Sequence, residues 1–252
     1  MESYYWEGCE PEGSVLRSAF RELDRGESRG KVIESFLFLL RSGDIVAVGI
    51  ALDYYKVAEI SSLRAGSEPG LAEYSQEVLE VARAVLDGGP SSASLSPLVG
   101  KGANYASALH VMVNTATLED VDVLVSHMSD PVSPEVRNLA IEASGGVLWR
   151  YEAGDSRLLS VLKGIALGEA EVYVDRVSAL GAIGASRLPA AVGALVEATE
   201  DADVRIQAHA ALQLSEEDIV GEYRNLLENL AENWGDDAPF PAEEVRSALQ
   251  DD

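Results

Sequence analysis

Apolar residues in this chain recur three and four positions apart, and no alternating run of useful length occurs. The segment 71–86 is the clearest case. There Leu71, Tyr74, Val78, Leu79, Ala82, Val85 and Leu86 fall on one stripe of a helix. The same period predicts helices over 13–23, 31–41, 45–60, 71–86, 104–115, 118–128, 134–149 and 155–167. It then predicts 171–183, 188–199, 203–214, 216–233 and a short last helix over 242–249. Ser42-Gly43 closes the second helix, and Asp44 is placed to cap the third by accepting from its free N–H groups. Gly- and Pro-bearing loops are predicted over 64–70 and 87–102. Composition leaves the longer one open, as an ordered excursion or a flexible connection. Taken in pairs, these helices make about six units.

One small pattern returns in three of them. The stretches Val136-Arg-Asn-Leu-Ala140-Ile-Glu-Ala143, Val172 through Arg176 to Ala179-Leu180, and Val204-Arg-Ile-Gln-Ala208-His-Ala-Ala211-Leu212 each read as the second helix of a helix-turn-helix unit. Their leading valines are 36 and 32 residues apart, within the range of stacked repeats. An acidic turn precedes each one, at 130–134, 168–171 and 201–203, where negative charge complements the helix dipole. Counting each valine as zero, positions 0, 4 and 7 form the expected core stripe. Ala140, Ala208 and Ala211 should then be buried where paired helices touch.

Asp203-Val204-Arg205 with Ala208 and Ala211-Leu212, and Ala179-Leu180-Gly181-Ala182-Ile183-Gly184, resemble the HEAT repeat in its short bacterial form. The resemblance is clear over 118–214 and looser over 13–87, where Asp44-Ile45-Val46 followed by Ala51-Leu52 matches best. It implies an all-α fold, a right-handed α-α superhelix (a HEAT-like solenoid) of about six helix pairs. Residues 1–252 would form a single domain, with the 87–102 loop on its edge. Arg176 departs from the pattern by standing where alanine is expected. Either its helix is shifted in register toward Val174 and Val177, or Arg176 fills a polar niche. The resemblance is nearly silent on function.

Composition narrows the partner. The 252 residues are 47% apolar and 6% aromatic, and carry a net charge of −24. From Glu197 to the end there are 16 acidic and 3 basic residues. Such a field repels phosphate backbones and anionic membranes and favours a cationic partner. Cys9 is the only cysteine, which excludes an intrachain disulfide. The first residues lack a basic and an apolar signal region, and no run of about 18 apolar residues occurs. A cytoplasmic protein is expected.

Reactive constellations are not visible. His110, His127 and His209 are too far apart in sequence for a ligand pair, so no metal and no cofactor are expected. His209 reads as a plain surface residue and His110 as partly buried and hydrogen-bonded. The Gly-Lys101-Gly stretch lacks the glycine and hydroxyl positions of a phosphate loop. A DNA glycosylase of HEAT-like type would hold a duplex in a basic groove, which 19 basic residues against 43 acidic ones argue against. Trp149 reads as a packing residue at a helix end. Of Tyr54 and Tyr55, one should be buried and the other should face outward.

A non-enzymatic protein-binding scaffold remains, its groove gripping a basic partner protein. Acidic bacterial immunity proteins and free-standing adaptors resemble it. Second-helix positions outside the core stripe nominate Asn138, Glu142, Tyr173, Arg205 and His209 as contact residues, and the looser N-terminal match adds Asp53 and Tyr54. The alternative is a HEAT-like lyase or accessory protein holding a small molecule such as a tetrapyrrole.

Overall fold

The computed structural model describes residues 5–6, 8–26, 28–64, 70–91, 101–151, 155–235, 238 and 240–250. Most of the two predicted loops, at 65–69 and 92–100, lies outside the described residues, as does Pro239 before the last helix. Among the described residues the chain is all-helical, with thirteen α-helices. They are α1 (Ser14–Arg25), α2 (Arg29–Leu40), α3 (Ile45–Arg64), α4 (Ser75–Asp87), α5 (Ala103–Thr115), α6 (Val121–Ser129) and α7 (Pro134–Arg150). Then come α8 (Ser156–Leu167), α9 (Tyr173–Gly184), α10 (Pro189–Ala198), α11 (Val204–Leu214), α12 (Val220–Asn233) and α13 (Phe240–Ala248). Each of the thirteen periodic segments is one of these helices.

Short polar side chains start many of them. Asp44 Oδ1 accepts from the Ala47 N–H at 2.8 Å, as its position before α3 predicts. Asp155 accepts from Arg157 and Leu158, and Asp203 from Arg205. Before α6, Thr117 and Asp120 form a reciprocal capping box around a 3-10 turn, and Arg83 grips Asp120 through two nitrogens at 2.7 and 3.0 Å. Pro134 and Pro189 sit at first helical positions, where a missing N–H costs no bond. The two ends of the 87–102 break are tied together. Gly102 N–H donates to the Ser91 carbonyl at 2.8 Å, and the Asn104 amide holds both Ser91 N–H and Gly89 carbonyl.

The chain divides into two compact units, Met1–Ala143 and Ser144–Asp252, the division falling inside α7. In the first, α2 packs on α1 and α3, and α5 packs on α3 and α4. Phe36, Leu39, Ile50, Leu52, Leu109 and Met112 fill its core. In the second, α9 packs on α8, α10 and α11, and α11 also on α13. Its core is Leu158, Leu162, Leu180, Ile183, Leu195 and Leu214. The C-terminal half of α7 joins this unit through Gly145, where an added Cβ would lie 2.9 Å from the Ala182 Cα.

Ala140, Ala208 and Ala211 are fully buried. The register set by the valines holds only in α7, however. Val136 is buried, whereas Val172 is 63% and Val204 42% exposed. Each of these two precedes or opens its helix, on the turn side. The positions that correspond to Val136-Arg137 are instead Asp175-Arg176 and Ile206-Gln207. Arg137 Nε donates to the Met128 carbonyl at 2.9 Å, Arg176 Nε to the Ala166 carbonyl at 2.9 Å, and Gln207 Nε2 to the Asp201 carbonyl at 2.6 Å. In each case a long polar side chain near the start of one helix donates to a carbonyl at or just past the end of an earlier one. Counted from there, Ala140, Ala179 and Ala210 share the fifth position of this frame, all with no exposed surface. Arg176 therefore fills a polar niche, closed by Asp201, and Val174 is exposed.

Candidate functional site

In the first unit, the candidates Asp53 and Glu142 act on a residue the sequence pattern passes over, and Asn138 is bonded to Glu142. Tyr5, ahead of the first helix, is buried. Its backbone N–H donates to Asp53 Oδ2 at 3.4 Å on α3, and its hydroxyl to Glu135 Oε1 at 3.1 Å on α7. Its ring meets His110 of α5 edge-on at 6.0 Å. Burial, then the charges of Glu135, Asp53 and Glu142, raises the Tyr5 phenol pKa, so the hydroxyl stays a donor. Glu142 receives the Asn138 amide at 2.9 Å. Loss of hydration raises its carboxyl pKa above the usual range, and Glu135 adds repulsion.

Trp6 lies beside Tyr5 and is 2% exposed. Its indole N–H donates to Ser107 Oγ at 2.9 Å, inside α5. A Cβ at Gly49 of α3 would lie 2.2 Å from the indole ring, so only glycine leaves room for it. Lys56, also buried, pairs with Glu59 at 3.3 Å, and the same Glu59 oxygen accepts from Asn114 at 2.6 Å. His110 is held neutral here: burial, then the Lys56 charge, pushes its pKa down to about 4. Two signals in the sequence mark this arrangement. One is an aromatic run outside every helical stripe, the other a glycine in the middle of an apolar helix.

Tyr54 lies apart from that group. It is half-buried with its ring centroid 6.4 Å from that of Phe36 on α2, and Tyr55, 3% exposed, is equally close to the same ring.

In the second unit the structure brings Tyr173, Arg205 and His209 together. The Arg205 guanidinium sits 4.3 Å from the Tyr173 ring centroid, and the Tyr173 hydroxyl is 3.2 Å from His209 Nε2. Arg205 is fixed by Asp203, at 3.0 and 2.6 Å. His209 is thus half-buried and hydrogen-bonded rather than a plain surface residue. Burial lowers its pKa, and Glu244 partly opposes this. Trp149 departs from the packing role expected of it. It is 72% exposed and borders an open cleft of about 510 Å³ with Leu188, Arg187 and Asp218. Arg187 and Asp218, both on its wall, pair with bonds of 2.6 and 3.1 Å.

Among the described residues, no cluster of three metal-ligating side chains occurs, and no helix is long and apolar enough to cross a membrane. No family model matches this sequence, and no curated protein or solved structure does either.

Proposed function

We propose that this chain is a non-enzymatic binding scaffold, an α-solenoid of HEAT-like repeats that grips a cationic partner protein in the cytoplasm. One observation carries the reading. Asp53, Glu135 and Glu142 come from two helices distant in sequence, and all act on the same tyrosine. Lys56, buried on α3, pairs with Glu59 at 3.3 Å. Like charges gathered at one place attract a cation. The net charge of −24 extends that attraction beyond contact distance. The solenoid part draws on the returning side-chain cap at Arg137, Arg176 and Gln207.

A bacterial immunity protein neutralising a basic toxin domain, or an adaptor, has these properties. The test is to capture a partner, identify and purify it, and follow association by stopped flow. Glu142→Lys should slow association about tenfold, with little effect on the fold. An association rate untouched by Glu142→Lys and by salt would remove this surface from the reading. A thermal shift with a tetrapyrrole and none with the basic protein would make the chain a small-molecule carrier instead.

A further inference from the structure

Among the described residues no large apolar side chain is more exposed than Trp149, and it stands in the second unit beside an open cleft of about 510 Å³. Leu148, Ala185 and Leu188 give that cleft apolar walls, and Arg187 and Asp218 give it a polar one. Glu216 and Glu217 precede Asp218 on the turn into α12, and all three are exposed. The charge of Glu216 reaches Arg187. The turn thus carries three carboxylates and the cleft wall one guanidinium, which favours a cation at the opening. Asp218 gives Arg187 one bond from each of its oxygens, so each oxygen can still accept another donor.

The same unit shows how this chain seats a cation on an aromatic ring. The Arg205 guanidinium lies 4.3 Å from the Tyr173 ring centroid and is held by the Asp203 carboxylate at 2.6 Å. Ring and carboxylate each attract the guanidinium there. At Trp149 a larger ring and a carboxylate share one cleft, and no described cation lies over that ring.

We propose that this cleft seats an arginine side chain of a partner protein, its guanidinium stacked on Trp149 and bonded to Asp218, its methylene stem against Leu188. Arginine suits the cleft better than lysine, because a planar guanidinium stacks on an indole and still presents donors to a carboxylate. An exposed tryptophan beside apolar walls is also the kind of side chain that anchors a protein interface. The inference deepens the partner-binding reading above, from which it takes only the partner's positive charge, and it adds a second surface to that of Glu142.

The test uses the full chain and acetyl-Leu-Arg-Leu-amide, with its lysine, citrulline and glutamate counterparts, binding being read on each probe's own NMR signals. The arginine probe should bind with a dissociation constant of about a millimolar, as suits one side chain at an open site. The lysine probe should bind more weakly. Citrulline keeps the shape and loses the charge, so its probe should bind about tenfold more weakly than the arginine one. Trp149→Ala removes a side chain already largely in water, so the denaturation midpoint should hold while the arginine probe loses about tenfold in affinity. Asp218→Asn should weaken the arginine probe and spare the citrulline one. No binding of the arginine probe at about ten millimolar, or equal affinity for the unmutated chain and Trp149→Ala, would overturn the proposal. So would a citrulline probe that binds as tightly as the arginine one, since the cleft would then select shape alone. A glutamate probe that binds as tightly would overturn it too, with Arg187 then selecting an anion. A captured partner that loses affinity with Trp149→Ala and ignores Glu142→Lys supports this inference and removes the first-unit surface. One that loses affinity with Glu142→Lys and ignores Trp149→Ala overturns this inference alone.

Discussion

Arg176 and Arg187 each pair with an aspartate, and burial separates what the two pairs do. The Arg176 side chain is 8% exposed and that of Asp201 13%, whereas Arg187 and Asp218 are at 40% and 57%. Removing Arg176 strands a carboxylate and the Ala166 carbonyl away from water. Arg176→Ala should therefore cost about 3–5 kcal/mol in a denaturant titration, and Arg187→Ala under about 1 kcal/mol. Equal losses would mean that burial is not what distinguishes them. His110 supplies a pH dependence. Its folded pKa of about 4 lies below the unfolded value of 6.5. Above about pH 6.5 both states are neutral and the buried ring carries no penalty. As pH falls from there toward 4, the unfolded chain takes up a proton the folded chain refuses, and stability drops by roughly 2–3 kcal/mol. Glu142, with a raised pKa, works the other way and gains as pH falls through it. His110→Gln should flatten the fall in denaturation midpoint between pH 6.5 and 4. An unchanged slope would place that pH dependence elsewhere. At this scale the sequence misled most where one residue serves two patterns. Val172 and Val204 look like core positions from their spacing, yet stand on exposed turns, because the returning polar cap rather than the valine sets the register.

The helices were legible because burial on one side imposes a 3.6-residue period, and period survives substitution better than any particular residue. Asp44, Asp155 and Asp203 fix starts that the same pattern leaves vague. How helices pack is less visible, since small residues signal close approach without saying which neighbour approaches. Ala208 has no exposed surface, so Ala208→Leu should cost about 1–3 kcal/mol by overpacking. The glycines give a finer contrast. At Gly145 a Cβ would press on the Ala182 backbone, whereas at Gly164 and Gly193, both exposed within helices, it would meet nothing within 4 Å. Gly145→Ala should thus lower the denaturation midpoint. Gly164→Ala and Gly193→Ala should each raise stability by about 0.5–1 kcal/mol, since the gain in helix propensity meets no clash. If all three moved the midpoint in one direction, the packing of α7 on α9 would need revision. The Tyr5-Trp6 site was hidden for a related reason: two aromatic residues without a period carry no address, and Gly49 and Ser107 look like ordinary small residues of apolar helices.

Over the whole molecule one quantity governs both folding and association, and salt moves the two in opposite directions. With a charge of −24, and 16 acidic against 3 basic residues from Glu197 onward, the folded chain repels itself. Folding brings these charges closer than they lie in the unfolded chain, so the repulsion opposes the compact state. Mobile ions screen exposed charges beyond about 8 Å at physiological ionic strength. Raising sodium chloride from low to moderate concentration should therefore stabilise the fold by about 1 kcal/mol, or roughly 2–4 °C in Tm at this chain length. The exposed ion pairs weaken over the same range, but pairs such as Arg187–Asp218 contribute too little to reverse the sign. Association with a cationic partner follows the same screening with the opposite outcome. The long-range attraction that brings the partner in is what the added ions remove, so the association rate should fall about tenfold or more while the dissociation rate changes far less. Measuring Tm and association rate on the same salt series separates the cases. A stability that falls with salt would mean that attractive pairs outweigh the net charge. A Tm that rises beside a flat association rate would mean that the charge serves the chain alone and no partner.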